Sequence, residues 1–349
     1  MDDFIKNLPK IELHAHLGGS LSEATLRELI ALRQKSDPSY PDCTFTAFKS
    51  HSECFEQFKL AHDLVDCVEA VRIATGNVIR EFSDDNCVYL ELRSTPRATE
   101  KMTKWQCLQA IVETIKLCRE SCPDIIVKFL PSINISYGSA EAEANFKLFS
   151  DLRKAYPDIV TGMDLSGDPE KGKFADVKSI FQRARDDEGF KLALHCAEVD
   201  NEIEIHEMIE FMSPADRIGH GTFIDESNEA TWKLFRDKKI PVEICLTSNV
   251  LCKTAPSFDD HHITRLMQVK HPIMICTDDS GVFRTTLSNE LCICAATFNL
   301  NQKQIVDLQV TANNYSFASE HEKQVIAEKI QNFMAKVAGS LQKDYDEVK

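Results

Sequence analysis

No stretch of this chain approaches the ~18 consecutive apolar residues that a membrane-spanning helix requires. The start, Met1-Asp2-Asp3-Phe4-Ile5-Lys6, lacks both the basic opening and the apolar run of a signal peptide, so the expectation is a cytosolic protein. No C-x-x-C pair occurs among the thirteen cysteines of the 349 residues. An odd count in a long chain argues against a disulfide framework and for reduced, mostly buried thiols. Positive charge is scarce: 40 Lys and Arg against 55 Asp and Glu leave a formal charge of −15, which repels nucleic acid and anionic membranes at long range. One small anion is still compatible, since a metal and one or two arginines can dominate locally.

Several motifs are also missing. Neither G-x-G-x-x-G nor G-x-x-x-x-G-K-[ST] is present, so those phosphate loops are unsupported. There is no P-C-x-x-C of the cytidine-deaminase kind. His206-Glu207-Met208-Ile209-Glu210 begins like H-E-x-x-H but carries glutamate where the second histidine belongs, as in a solvated helix face. A Gly/Ser-rich linker, a low-complexity segment and an internal sequence repeat are all absent, and residues 1–349 read as one domain.

What the chain does contain is an alternation. Short β-branched or apolar runs fall at 10–16, 88–95, 125–134, 160–167, 191–198, 217–222, 241–249 and 272–279, with amphipathic helical segments between them. Eight strand–helix units predict an α/β fold, a single (β/α)8 TIM-type barrel, with extra helices after the first strand and at the C-terminus. A proline-containing loop at 36–50 is the candidate lid. A long helical stretch follows from about 51 to 82; it holds His62, which the pattern alone reads as an ordinary helix-face histidine. The strand runs end in His14/His16, Ser94/Arg97, Asn134, Asp164/Ser166, His195/Glu198, His220, Ser248/Asn249 and Asp278/Asp279. In such a barrel the C-terminal strand ends form one active-site mouth, so these side chains are expected to converge.

His14 and His16 alternate onto one strand face, a metal pincer, although H-x-H alone is more often an ordinary strand pair. His195 adds a third nitrogen. Asp278 and Asp279 form a pair of carboxylates that would repel one another without a compensating cation or proton. One Zn2+ held by His14, His16, His195 and Asp278 resolves that repulsion and leaves room for an acidified water. Glu198 is placed to donate a proton, and His220, between two glycines, to orient or deprotonate that water. A two-metal amidohydrolase would need a bridging lysine, and none stands at these strand ends.

The stretches LPKIELHAHLGGS, YLELRSTPR, GMDLSGDP, LALHCAE, DRIGHGTF, IPVEICLTSN, ICTDDSGVF and AATFNL together resemble the adenosine/AMP deaminase family, closest to its N6-methyl-AMP deaminase branch. The resemblance implies Zn2+ on the four ligands, Glu198 as proton donor to purine N1, His220 beside the attacking hydroxide and Asp279 at N7. It also implies that the Gly167 backbone contacts the purine, and that His16, Gly18, His62, Ser94, Thr95, Pro96, Arg97 and Asn134 hold the nucleotide. Gly18 stands where adenosine deaminases typically carry aspartate and the branch asparagine; Asn134 stands where the branch has aspartate. Both departures make the pocket less negative, which favours a purine nucleoside monophosphate, with Arg97 as the phosphate partner. The expected reaction is N6-methyl-AMP plus water to IMP plus methylamine, in a monomer that binds neither nucleic acid nor membrane. The alternatives are adenosine deamination and a zinc-stabilised nucleotide-binding protein without activity.

Overall fold

The computed structural model describes residues 1–46 and 51–347, with side chains at 1–46 and 57–338. Its strands are β1 (Lys10–His16), β2 (Cys87–Ser94), β3 (Ile126–Asn134), β4 (Gly162–Ser166), β5 (Lys191–Cys196), β6 (Arg217–His220), β7 (Val242–Ile244) and β8 (Ile273–Ile275). All neighbours pair in parallel in chain order. β1 is buried along almost its whole length because helices cover one face and barrel interior the other. The ring is closed by backbone from the site itself: the His16 N–H donates to the Asp278 carbonyl (3.0 Å) and the Asp278 N–H to that of His14 (2.8 Å). The expected eight-stranded TIM-type barrel is therefore the observed fold, with helices after β1 and at the C-terminus.

Local signals set most helix starts. Ser22 caps Glu23–Gln34 by accepting the Thr25 N–H. A reciprocal Thr103/Gln106 box opens Lys104–Ser121. The expected 51–82 stretch divides into His51–Leu64 and Val68–Asp84. One expectation is corrected: the run 241–249 is not a single strand. β7 stops at Ile244, and Ser248 and Asn249 lie on a helix, Leu246–Leu251. The buried Glu290 carboxylate accepts the Thr247 N–H at 3.0 Å, and its Oε1 also accepts the Thr247 hydroxyl, which anchors the first turn of that helix. Of the expected lid, residues 47–50 lie outside the described residues. Residues 36–46 are tied down, with Tyr40 donating to Asp63 (2.5 Å) and Arg284 to the Phe45 carbonyl (2.8 Å).

The barrel interior is charged as well as apolar. Arg93 and Arg217 are fully buried among Glu91, Asp164 and Glu243. Arg217 Nε donates to Glu243 at 2.6 Å and its Nη2 to Glu91, while its guanidinium lies 3.7 Å over the Phe317 ring. Removing one member of such a group strands the others in low dielectric. Arg217→Met is expected to lower stability by about 3–5 kcal/mol, measured by urea unfolding; a loss under 1 kcal/mol would show that the group contributes little.

Candidate active site

At the C-terminal mouth, His14 and His16 from β1 and His195 from β5 point inward. The Nε2 atoms of His14 and His16 are 3.2 Å apart, as are those of His16 and His195. Asp278 Oδ1 lies 3.4 Å from His14 Nε2 and 3.5 Å from His16 Nε2. Two nitrogens sharing a metal at bonds of about 2.0–2.1 Å stand roughly 3 Å apart, so these spacings fit a common cation. His14, His195, His220 and Asp278 also present ligand atoms within 4.8 Å of one another. His220 Nε2 nevertheless sits farther out, 3.9 Å from Asp278 and 3.6 Å from Glu198. The structure thus gathers all four expected ligands at one point, with His220 beside them.

Buried acids orient the imidazoles from behind. Glu243 accepts from His14 Nδ1 at 2.8 Å, and Asp164 lies 3.2 Å from His195 Nδ1. Each arrangement leaves Nε2 facing the cavity, as in carboxylate–histidine–metal sites. Burial lowers His16 to about 3, so its imidazole is neutral. Burial also works against a charged His195, but the Asp164 carboxylate outweighs it and raises that imidazole to about 9. A cation on Nε2 must then displace a proton there. Glu12, pushed up to about 8 by burial, accepts the His14 N–H (2.8 Å) and the Thr277 N–H (3.0 Å), tying β1 to the turn that carries Asp278.

The adjacent carboxylates behave differently. Asp278 is held well below the usual range: burial opposes this, but the surrounding histidines outweigh it, and Ser248 Oγ donates to it at 2.7 Å. Asp279 is pushed well above that range by burial and by Asp278 beside it, which favours its protonated form. Gly19 makes room for it, since a Cβ there would lie 1.7 Å from Asp279 Oδ1. Glu198 is raised to about 6 by burial, an acid poised near neutrality.

A cavity of about 500 Å³ opens in front of this cluster. Its wall includes His16, Gly18, His62, Ser94, Thr95, Arg97, Asn134, Gly167, His195, Glu198, His220, Asp278 and Asp279. Pro96 is buried and does not line it. His62 lies on the helix His51–Leu64, which also supplies Phe58 and Lys59, and Arg97 Nη1 donates to the His62 carbonyl at 2.7 Å. Gly167 adopts φ +101, and a Cβ there would sit 2.2 Å from Asn134 Oδ1. None of residues 36–46 reaches the cavity. Sequence reasoning missed Glu243, Arg93, Arg217 and Glu12. The available signal was a charged residue inside a strand that is otherwise apolar.

A closed parallel barrel whose strand ends join three imidazoles, an aspartate and a raised glutamic acid has the form of a hydrolase site, with a cluster that could hold a metal ion. More narrowly, the chain belongs to the adenosine deaminase family, whose model matches residues 9–333. It is 43% identical over 337 residues to an adenosine deaminase-like protein of Drosophila melanogaster, covering 95% of this chain and 98% of that one. It is 41% identical over 327 residues to the human N6-methyl-AMP deaminase, covering 91% of each. Among solved structures, an Arabidopsis ADAL complexed with IMP superposes with a TM-score of 0.84 at 33% identity, covering 95% of this chain and 98% of that one. No described helix is long and apolar enough to cross a membrane.

If Glu243 fixes the His14 ring, Glu243→Gln is expected to weaken metal affinity about 10–100-fold, read by competition with a chelator. Unchanged affinity would remove Glu243 from the metal site.

Proposed function

We propose that this chain is a zinc-dependent aminohydrolase of N6-substituted purine nucleoside monophosphates, converting N6-methyl-AMP and water to IMP and methylamine. The observation that carries the reading is the convergence of His14, His16, His195 and Asp278 beside a near-neutral Glu198, in a cavity that Arg97 also lines. The names of its relatives point the same way.

In this reading His14, His16, His195 and Asp278 would hold the cation, and Zn2+ bound there would lower the pKa of a water toward ~7. Glu198, protonated, donates to purine N1, which makes C6 electrophilic. His220, with Nε2 near Glu198 and Asp278, orients the attacking water. Asp279, in the protonated form that burial and Asp278 favour, has an O–H to donate to N7, and the Gly167 backbone lies against the ring. Attack at C6 and loss of the exocyclic amine leave a 6-oxopurine.

Arg97, Ser94 and Thr95 face the 5′-phosphate, with the buried Pro96 between Thr95 and Arg97 and with His62, Gly18 and Asn134 completing the wall. Arg97 spends Nη1 on the His62 carbonyl, which leaves other guanidinium donors for an anion. No heavy atom lies within 4 Å of where a Gly18 Cβ would sit, and neither Gly18 nor Asn134 brings negative charge to the wall. The same reading takes residues 1–349 as one domain and the cytosol as its compartment, supported by cysteines that are all free thiols wherever their side chains are described.

Glu198→Gln is expected to retain zinc and lose about 10²-fold or more in turnover; wild-type turnover would remove Glu198 from the chemistry. Zinc-loaded protein offered N6-methyl-AMP, AMP, N6-methyladenosine and adenosine is expected to prefer N6-methyl-AMP, followed chromatographically as IMP. Preference for adenosine would overturn the phosphate reading, and no turnover of any of the four would leave a binding protein.

A further inference from the structure

Behind the mouth of β6 stands a histidine that the chemistry above does not use. His220 ends β6 at φ +63, a left-handed conformation that a side chain other than glycine's disfavours. This twist sends the imidazole into the cavity while its own carbonyl meets His262, whose Nε2 lies 3.0 Å from that oxygen. A carbonyl only accepts, so His262 Nε2 carries the proton and Nδ1 is bare. Among the described residues the buried His262 Nδ1 has no hydrogen-bond partner, and the bond to the His220 carbonyl is the polar tie of this ring there. The His261 ring stacks on it with centroids 4.3 Å apart. His262 immediately precedes the helix Ile263–Gln268, so it ties the end of β6 to a separate element of the barrel wall. At the other end of the residue, the Asn249 side-chain amide lies 3.3 Å from His220 Nδ1. His262 is not part of the cavity wall, and its hydrogen bond to the His220 carbonyl links it to a residue that is.

We infer that His262 is a positioning residue for the reaction, holding the His220 carbonyl so that the strained strand end keeps its imidazole aimed at the attacking water. The inference rests on the role given to His220 above.

The test is a double-mutant cycle on zinc-loaded protein with N6-methyl-AMP, using His262→Asn, His262→Gln, His220→Ala and the His262→Asn/His220→Ala pair. Glutamine extends its amide as far as His262 Nε2, and asparagine stops short of it. His262→Asn is expected to lower kcat about tenfold with KM unchanged, a fraction of the ~10²–10⁴ at stake when a proton-handling residue is lost. His262→Gln is expected to restore most of it. In the His220→Ala background, His262→Asn is expected to cost nothing further. A kcat for His262→Asn equal to wild type, failed rescue by glutamine, or an additional tenfold loss in the double variant would each overturn the role of His262 while leaving that of His220 standing. Wild-type kcat in His220→Ala would instead remove His220 from the mechanism, and this inference with it.

Discussion

Glu243 is the constraint on which the rest of the site depends. Its carboxylate is fully buried and shared by His14 Nδ1, Arg93 and Arg217. Alone in that position it would be pushed toward protonation. Burial does act in that direction, but the two guanidinium groups outweigh it and hold the acid well below its usual range. Because it stays ionised, it fixes the His14 ring with Nε2 toward the cavity. Asp164 does the same for His195, partnered in turn by Arg93 at 2.8 Å and by Ser132 at 2.5 Å. The charged layer inside the barrel thus carries orientation upward, from arginines to carboxylates to imidazoles. Each level removes a freedom from the next.

A second constraint is geometric. His220 and Asp278 both occupy left-handed backbone, as does Ala197 between His195 and Glu198. Each such residue costs on the order of 1 kcal/mol or more and persists only where its surroundings over-determine it. Here the surroundings are visible. Asp278 is pinned by backbone bonds to His14 and His16, which also close the barrel. His220 is pinned through its carbonyl and its ring. Closing the barrel and assembling the site are accordingly one event, because the same peptide groups perform both.

Much of this was legible beforehand. The strand–helix alternation, the histidine pair of β1 and the polar residues at the strand ends sufficed for the barrel and for the point where its chemistry converges. The run 241–249 misled because an apolar stretch of that length suits a strand or a buried helix equally, and the distant Glu290 decides in favour of a helix. The charged layer was not legible for a related reason. Arg93 meets Glu243 across 150 residues of chain and Arg217 meets Glu91 across 126, and no local pattern announces which buried charge will find which.

The sequence by itself determined the inventory of donors and their spacing along each strand: two histidines at i and i+2 on one face of β1, and a glutamate three residues past His195. These relations are local, and the first follows from strand geometry alone. Tertiary structure decided what those donors are chemically. Whether Asp279 carries a proton, whether His16 is neutral, and which nitrogen of His14 faces the cavity all depend on desolvation and on charges brought from other strands. Those terms exist only once the barrel has closed and excluded water from its mouth.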